Sequence, residues 1–308
     1  MGKSRSPRNK TLQLTPADRQ RLSPHLLSPT TLGVTNIPEG VVCGDAIQLV
    51  EDFPTGFVDL LILDPPYNLN RKFGSRSYRK KPIDVYSEWL DQVLRAFLPT
   101  LKPNASVYIC GDWLTSVSIF EVANRHLFVR NRITWEREKG RGAKRNWKNN
   151  AEDIWFCTMG SEYKFNPDDI RHRRPVIAPY RNREGQPKDW QESNTGNYRD
   201  THASNLWTDI SIPFWSMPEN TDHPTQKSEK LIAKLILASS KKGDLVFDPF
   251  SGSGSSCVVA KKLQRRFLGI EIDQDFALLT LKRLELAEQR PGIQGYFERV
   301  FWPRNSGK

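Results

Sequence analysis

Asp64-Pro65-Pro66-Tyr67-Asn68 places a carboxylate, two prolines and an aromatic ring at the end of the apolar run Val58-Asp59-Leu60-Leu61-Ile62-Leu63. A run of that length and composition is a buried strand, so these groups reach one edge of a sheet. Proline has no N–H and fixes φ at about −65°, which stiffens the turn and leaves its carbonyls free to accept. Such a corner suits a planar, amine-bearing group stacked on Tyr67 and bonded through its NH2. The same residues also fit a plain strand that ends in a Pro-Pro turn with Asp64 as a local cap.

A second segment, Asp248-Pro249-Phe250-Ser251-Gly252-Ser253-Gly254-Ser255, follows the apolar run Leu245-Val246-Phe247 and opens a helical pattern. Its glycines allow a ligand close to the backbone, and the helix start offers free N–H groups with partial positive charge. This loop carries no Gly-Lys-Ser/Thr, which argues against a triphosphate loop. The next strand ends in Gly269-Ile270-Glu271-Ile272-Asp273, with its acid roughly twenty residues on, where dinucleotide-type folds bind ribose hydroxyls. A tight βα turn with a helix-capping acid would leave the same trace.

The elements that must position these groups alternate along the chain. Strands are expected near 41–43, 58–63, 106–110, 128–135, 153–157, 245–247 and 267–272. Helices are expected at 45–53, 85–98, 115–125, 229–239, 256–263 and 276–288. The order implies an α/β chain with a mostly parallel sheet and helices on both faces. Residues 1–35, with Lys3, Arg5, Arg8 and Lys10 among Ser, Pro and Thr, read as a flexible basic arm. Residues 139–220 break the alternation and form a basic insertion with one core strand near 153–157. It separates a first half (36–138) from a second (221–290), and 291–308 reads as a tail.

Lys and Arg outnumber Asp and Glu by 46 to 35 across 308 residues, a formal charge of +11 that favours a polyanionic partner. The insertion concentrates this charge. Lys139, Arg141, Lys144, Arg145 and Lys148 occur with no acid among them, and Arg173 and Arg174 follow later. The four cysteines form no Cys-x-x-Cys pair and the five histidines are scattered, so neither a disulfide framework nor a metal site is expected. No stretch approaches the roughly 20 apolar residues that span a bilayer. No apolar segment follows the basic N-terminus, so a secretory signal is not expected and the protein should be cytoplasmic.

With His223-Pro224-Thr225-Gln226-Lys227 ahead of the glycine loop, the chain resembles the β-class DNA amino-methyltransferases (adenine-N6 or cytosine-N4) of restriction–modification systems, over about residues 40–290. The motif order carries the resemblance: catalytic Asp-Pro-Pro-Tyr, basic insertion, His-Pro-Thr segment, glycine loop. It implies the S-adenosylmethionine-dependent methyltransferase fold, with a mostly parallel seven-stranded sheet, a circularly permuted motif order and 139–220 as target-recognition region. It further implies that Asp248, Phe250, Gly252 and Gly254 line the methionine part of S-adenosyl-L-methionine, with Ser251, Ser253 and Ser255 in the same loop. Glu271 would hold the ribose hydroxyls, with Ile272 against the adenine and Asp273 also at the cofactor. Asp45, next to Ala46, would accept from the adenine amine, and Thr225 and Lys227 would reach the cofactor carboxylate. Asp64, also at the cofactor, and the Pro65 carbonyl would accept from the target amine while Pro66 stiffens the turn and Tyr67 stacks. Ser228 and Ser255 depart from the Pro and Thr usual in the family; Ser228 is expected to cap a helix.

The implied reaction is methyl transfer to the N6 of an adenine in double-stranded DNA. A base amine is a poor nucleophile because its lone pair is delocalised, and two acceptors around the nitrogen would aim that pair at a methyl sulfonium. The base must leave the stack, and Trp155 or Phe156 could wall the side opposite Tyr67, or simply be buried strand aromatics. Cytosine-N4, RNA and protein glutamine remain alternative acceptors, and a catalytically silent DNA-binding protein is a further alternative. Monomer and homodimer are both open.

Overall fold

The computed structural model describes residues 6–33, 37–73, 76–137, 145–176, 180–192 and 196–304. The chain begins with helix α1 (Pro16–Leu22), closed by a capping box between Thr15 and Asp18. There follow β1 (Gly40–Cys43), α2 (Ala46–Leu49), β2 (Val58–Leu63), the hairpin strands β3 (Arg71–Phe73) and β4 (Arg76–Tyr78), α3 (Ile83–Phe97), β5 (Leu101–Gly111) and α4 (Thr115–His126). Next come β6 (Phe128–Glu136), β7 (Ala151–Thr158), β8 (His172–Pro175), β9 (Tyr198–Thr201) and β10 (Leu206–Trp207). The second half supplies α5 (Glu229–Ser239), β11 (Leu245–Asp248), α6 (Ser255–Lys262), β12 (Arg266–Glu271) and α7 (Gln274–Gln289), then β13 (Tyr296–Phe297) and β14 (Val300–Phe301).

Eight strands form the central sheet in the order β1-β12-β11-β2-β5-β7-β6-β10. These are the seven expected strands plus the two-residue β10 at one edge. Strands β1 to β5 of that order run parallel, whereas β7 is antiparallel to both β5 and β6. Alternation along β2 sets the two faces: Leu60 and Ile62 join the core packed by α5 and α6, while Leu61 and Leu63 join the core packed by α3 and α4.

All residues of α5 are buried, including Lys230 and Lys234. Their ammonium groups reach Asp209 of the insertion at 2.6 and 2.7 Å. Burial draws the Lys234 pKa down to about 7 even though Asp209 opposes the shift. The insertion is therefore packed over α5 through a desolvated ion cluster.

Two expectations about the chain ends are corrected. The segment read as a flexible arm is folded over residues 6–33: Leu22 and Leu32 are buried, and α1 is tied to α7 by Arg19–Asp275, Arg21–Glu285 and Lys282–Asp18. Its basic residues conceal a short amphipathic helix with a Pro start. The segment read as a tail forms β13 and β14, which complete a second sheet, β13-β14-β8-β9, with two strands of the insertion. The hairpin turn uses Glu298 and Arg299 at φ 54° and 59°, a left-handed pair that lacks the Asn-Gly signature of such turns.

Candidate active site

Adjacency of β2 and β11 brings the two motifs together. Phe247 sits beside Leu61, so both strands release their loops at the same edge of the sheet. There a cavity of about 640 Å³ is lined by Asp64, Pro65, Pro66 and Tyr67 from one loop and by Pro249, Phe250 and Gly252 from the other. Its remaining walls are residues 44–47, 271–276, Leu69, Tyr78, Trp89, His223, Thr225 and Lys227. A smaller cavity of about 30 Å³ adjoins it, lined among others by Asp248, Ser251, Ser253 and Ser255.

The stiff corner keeps one acceptor open. The Pro66 carbonyl takes the Tyr86 hydroxyl at 3.0 Å and the Tyr67 carbonyl takes the Leu69 N–H at 2.7 Å. The Pro65 carbonyl accepts no hydrogen bond among the described residues. Asn68 is buried and locked: its N–H donates to Thr115 Oγ1, and its side chain brackets the Lys81 backbone at 2.9 and 2.7 Å.

Lys227 enters this corner from the opposite loop. Its Nζ donates to Asp64 Oδ1 and Oδ2 at 2.9 and 2.7 Å and to the Tyr67 hydroxyl at 3.0 Å, and lies 3.5 Å from Glu152 Oε2. The Tyr67 hydroxyl in turn lies 2.9 Å from Asp64 Oδ1 and 3.3 Å from Glu152 Oε2. Glu152 is itself paired with Arg137. Burial works against the Lys227 charge, but Asp64 and Glu152 outweigh it and raise its pKa. Burial, then Asp64 and Glu152, push the Tyr67 hydroxyl well above its ordinary value. Lys227, expected at a cofactor carboxylate, is thus committed to Asp64. Thr225 does line the cavity.

Acidic groups ring the far end. Glu271 ends β12 and accepts from Gly252 N–H and Asp273 N–H at 2.8 Å each. Asp45 caps α2 by accepting from Ile47 N–H at 3.1 Å, and Asp273 caps α7. Ala46 and Ile272 supply apolar wall between them. Burial is the main cause that raises both Glu271 and Asp248, the latter to about 7, with the Asp64 charge adding to it.

The two glycines of the loop do different things. Gly252, at φ 54°, faces the cavity. Gly254, at φ 75°, caps α6, and a Cβ there would sit 2.1 Å from Thr280 Cγ2. Close packing on α7, and not ligand approach, demands that glycine. Ser255 turns inward, donating to the Lys227 carbonyl at 2.7 Å, and so joins the two loops. Ser251 Oγ is buried with no hydrogen-bond partner. Ser228 caps α5 as expected, accepting from Lys230 N–H.

Other expected residues fall elsewhere. Phe156 stacks on Tyr108 at 5.0 Å, and Trp155 packs on Phe120 and donates to Ser116 Oγ. Neither lines the cavity. Because β7 is antiparallel, its first residues, and not Phe156, lie at the loop edge of β5; Asp153 pairs with Gly111 there. This is why Glu152 reaches Tyr67. Nothing in the sequence marked Glu152 beyond its place in the acidic pair Glu152-Asp153 ahead of an apolar run. Trp89 was legible only as an apolar position of α3, yet it walls the cavity beside Tyr86.

Of the basic residues expected to meet DNA, Lys139, Arg141 and Lys144 lie outside the described residues. Arg145, Lys148 and Arg174 are exposed. Arg173 is not available: it grips Asp200 at 2.9 and 2.8 Å between the rings of Tyr198 and Trp302, 4.0 and 4.6 Å away. Among the described residues no cluster of His, Cys, Asp or Glu could hold a metal ion, and no helix is long and apolar enough to cross a membrane.

Residues 58–282 match the family model N6_N4_Mtase, described as DNA methylase. The chain is 32% identical over 267 residues to the DNA adenine methyltransferase YhdJ of Escherichia coli (strain K12), covering 84% of this chain and 86% of that one. It is 31% identical over 251 residues to the Type II methyltransferase M.HpaI of Haemophilus parainfluenzae, covering 80% and 74%. Among solved structures, the cytosine-N4-specific PvuII DNA methyltransferase aligns with a TM-score of 0.57 at 19% identity, covering 80% of this chain and 86% of that one. The M1.HpyAVI–SAM complex aligns with a TM-score of 0.51 at 24% identity, covering 80% and 99%.

Proposed function

The chain belongs to the N6/N4 DNA methylase family, and from that premise we propose that it transfers a methyl group from S-adenosyl-L-methionine to the N6 of adenine in duplex DNA, as the modification enzyme of a restriction–modification system. The observation that carries the proposal is one cavity shared by the Asp64 corner and the glycine loop.

The residues present fit the cofactor. Asp45, Glu271 and Asp273 offer acceptors to hydroxyls and an amine at one end. The unpaired Ser251 hydroxyl and the buried Asp248 carboxyl await a polar or cationic group at the other. When bound, S-adenosylmethionine supplies an electrophilic methyl on a sulfonium.

Everything else is done by the protein. A carboxylate has about four lone-pair positions. Lys227 uses one on each Asp64 oxygen and Tyr67 uses a second on Oδ1, so the open position lies on Oδ2. That oxygen and the free Pro65 carbonyl form the two acceptors for an exocyclic NH2. Holding both N–H bonds there turns the nitrogen lone pair away from the ring, and positioning carries most of the rate gain. Asp64 need not act as a strong base, since the methylated amine sheds its proton readily. The target base is flipped out of the duplex and stacks on Tyr67, with Lys227 fixing the tyrosine by its hydroxyl and lying 5.3 Å from its ring centroid.

Adenine is favoured over cytosine by the Asp in the first position of the motif and by the name of the 32% identical relative. The test is to methylate duplex DNA in vitro, digest it and identify the nucleoside. N6-methyldeoxyadenosine is expected, and N4-methyldeoxycytidine would overturn the choice. Asp64→Ala should keep DNA binding and lose transfer; appreciable residual turnover would contradict the role given to Asp64.

A further inference from the structure

Between Asp64 and Asp84 the sequence contains no acid but carries Arg71, Lys72, Arg76, Arg79, Lys80 and Lys81. Arg71–Phe73 and Arg76–Tyr78 of this stretch pair antiparallel as β3 and β4, with Arg71 beside Tyr78, and Arg79, Lys80 and Lys81 follow directly after β4. The stretch borders the active-site cavity, where Tyr78 and Leu69 form part of the wall. Arg79, Lys80 and Lys81 are exposed.

The base of the hairpin is fastened to the catalytic loop. Lys80 N–H donates to Asn70 Oδ1 at 2.8 Å, and Lys81 N–H donates to Asn68 Oδ1 at 2.7 Å while Asn68 Nδ2 returns a bond to the Lys81 carbonyl. Asn68 is the neighbour of Tyr67. Any group held by these cations is therefore held at a fixed offset from the residues that receive the base.

Several described arginines of the insertion differ in kind: Arg171, Arg173, Arg181 and Arg199 are each paired with an acid of the same region, whereas among the described residues the exposed Arg145, Arg174 and Arg183 are not. No such pair engages Arg79, Lys80 or Lys81 among the described residues. A cluster of unpaired cations next to a site that must receive one nucleotide of a polyanion is placed to grip its backbone.

We infer that the segment leaving β4 is a phosphate clamp on duplex DNA, with Arg79, Lys80 and Lys81 gripping the phosphates that flank the flipped nucleotide. The inference rests on the DNA-methylation function proposed above. Phosphate contacts carry no sequence information, so the clamp contributes affinity and register while the insertion is left to select the target.

The experiment measures binding of a methylatable duplex to the whole protein, saturated with S-adenosylhomocysteine, as a function of salt. Each phosphate contact contributes about 0.9 to the slope of log K against log salt. Arg79→Ala/Lys80→Ala/Lys81→Ala should flatten that slope by about two to three and raise the Kd at about 0.1 M salt at least tenfold. Binding of S-adenosylhomocysteine alone, by calorimetry, should stay within about twofold, which shows that the fold is intact. The charge-preserving Lys80→Arg/Lys81→Arg should keep the slope. An unchanged slope in the triple variant, with a wild type that methylates DNA, overturns the clamp and leaves the function standing. A wild type that neither methylates nor binds duplex DNA overturns both.

Discussion

Lys227→Met should destabilise the protein and impair transfer together, because Lys227 is the cation that touches both Asp64 and Glu152. Methionine keeps the length of the side chain, so the change removes charge more than volume. Breaking a buried ion pair by deleting one partner costs about 3–5 kcal/mol. Asp64 is 20% exposed and can regain some water, and Arg137 still neutralises Glu152, which places the loss near the lower end, about 3 kcal/mol. For a chain of this length that corresponds to roughly 6 °C in Tm, at about 2 °C per kcal/mol. Thermal unfolding followed by circular dichroism at low salt, without cofactor, reads the shift. Lys227→Met/Glu152→Gln should recover at least about 1 kcal/mol, since the second change removes one of the two carboxylates left facing each other. A Tm fall below about 2 °C in the single variant, or a double variant less stable than the single, would refute the electrostatic account of the corner.

Asp248 predicts a pH dependence. Its folded-state pKa of about 7 lies above the ordinary 3.8, so the stability it contributes is full below pH 4 and is lost as pH rises through 7. Denaturant titrations should show that decline flattened in Asp248→Asn, and affinity for the sulfonium cofactor should rise between about pH 5 and 8 in the wild type only. Gly254→Ala drives a Cβ to 2.1 Å from Thr280 at φ 75°. A loss of about 2–5 kcal/mol in stability and at least tenfold in cofactor affinity by calorimetry is expected, and no change in either would remove the packing argument. Arg173→Ala should cost about 1–3 kcal/mol in urea denaturation through its ion pair and two ring contacts, and leave duplex affinity within about twofold. A collapse of DNA binding with unchanged stability would return Arg173 to the interface.

What could be read from the sequence follows from burial. Each strand covered on both faces is built around an apolar run, so the cores of β2, β5, β7, β11 and β12 could be located, and α5 and the Asp64 loop with them. The motif loops were legible because proline and glycine act locally. Lys227 was found but its link to Asp64 was not, since a loop lysine does not announce which carboxylate of the protein it will reach. Glu152 was missed because its role depends on β7 running antiparallel, a fact of sheet topology with no local trace. The strands β10, β13 and β14 are two residues long and have no period to detect. Arg173 looked like every other arginine of a basic insertion until Asp200, Tyr198 and Trp302 closed around it.

The strand order has a consequence for how the chain acquires its structure. Apart from a single bridge to Leu27, strand β1 pairs with β12 alone among the described residues, and β2 finds one of its two neighbours in β11. On a ribosome that emits about 5–20 residues per second, the first strands wait many seconds for partners made some two hundred residues later. During that interval β1 and one side of β2 are open edges, and the closure of so long a loop makes the last pairing slow. The Asp64 corner is synthesised early, but it cannot meet its glycine loop until β11 pairs with β2. Methylating capacity therefore arises in a single late event of sheet completion, and a nascent or truncated chain that ends before residue 245 is a candidate for chaperone capture rather than a partial enzyme.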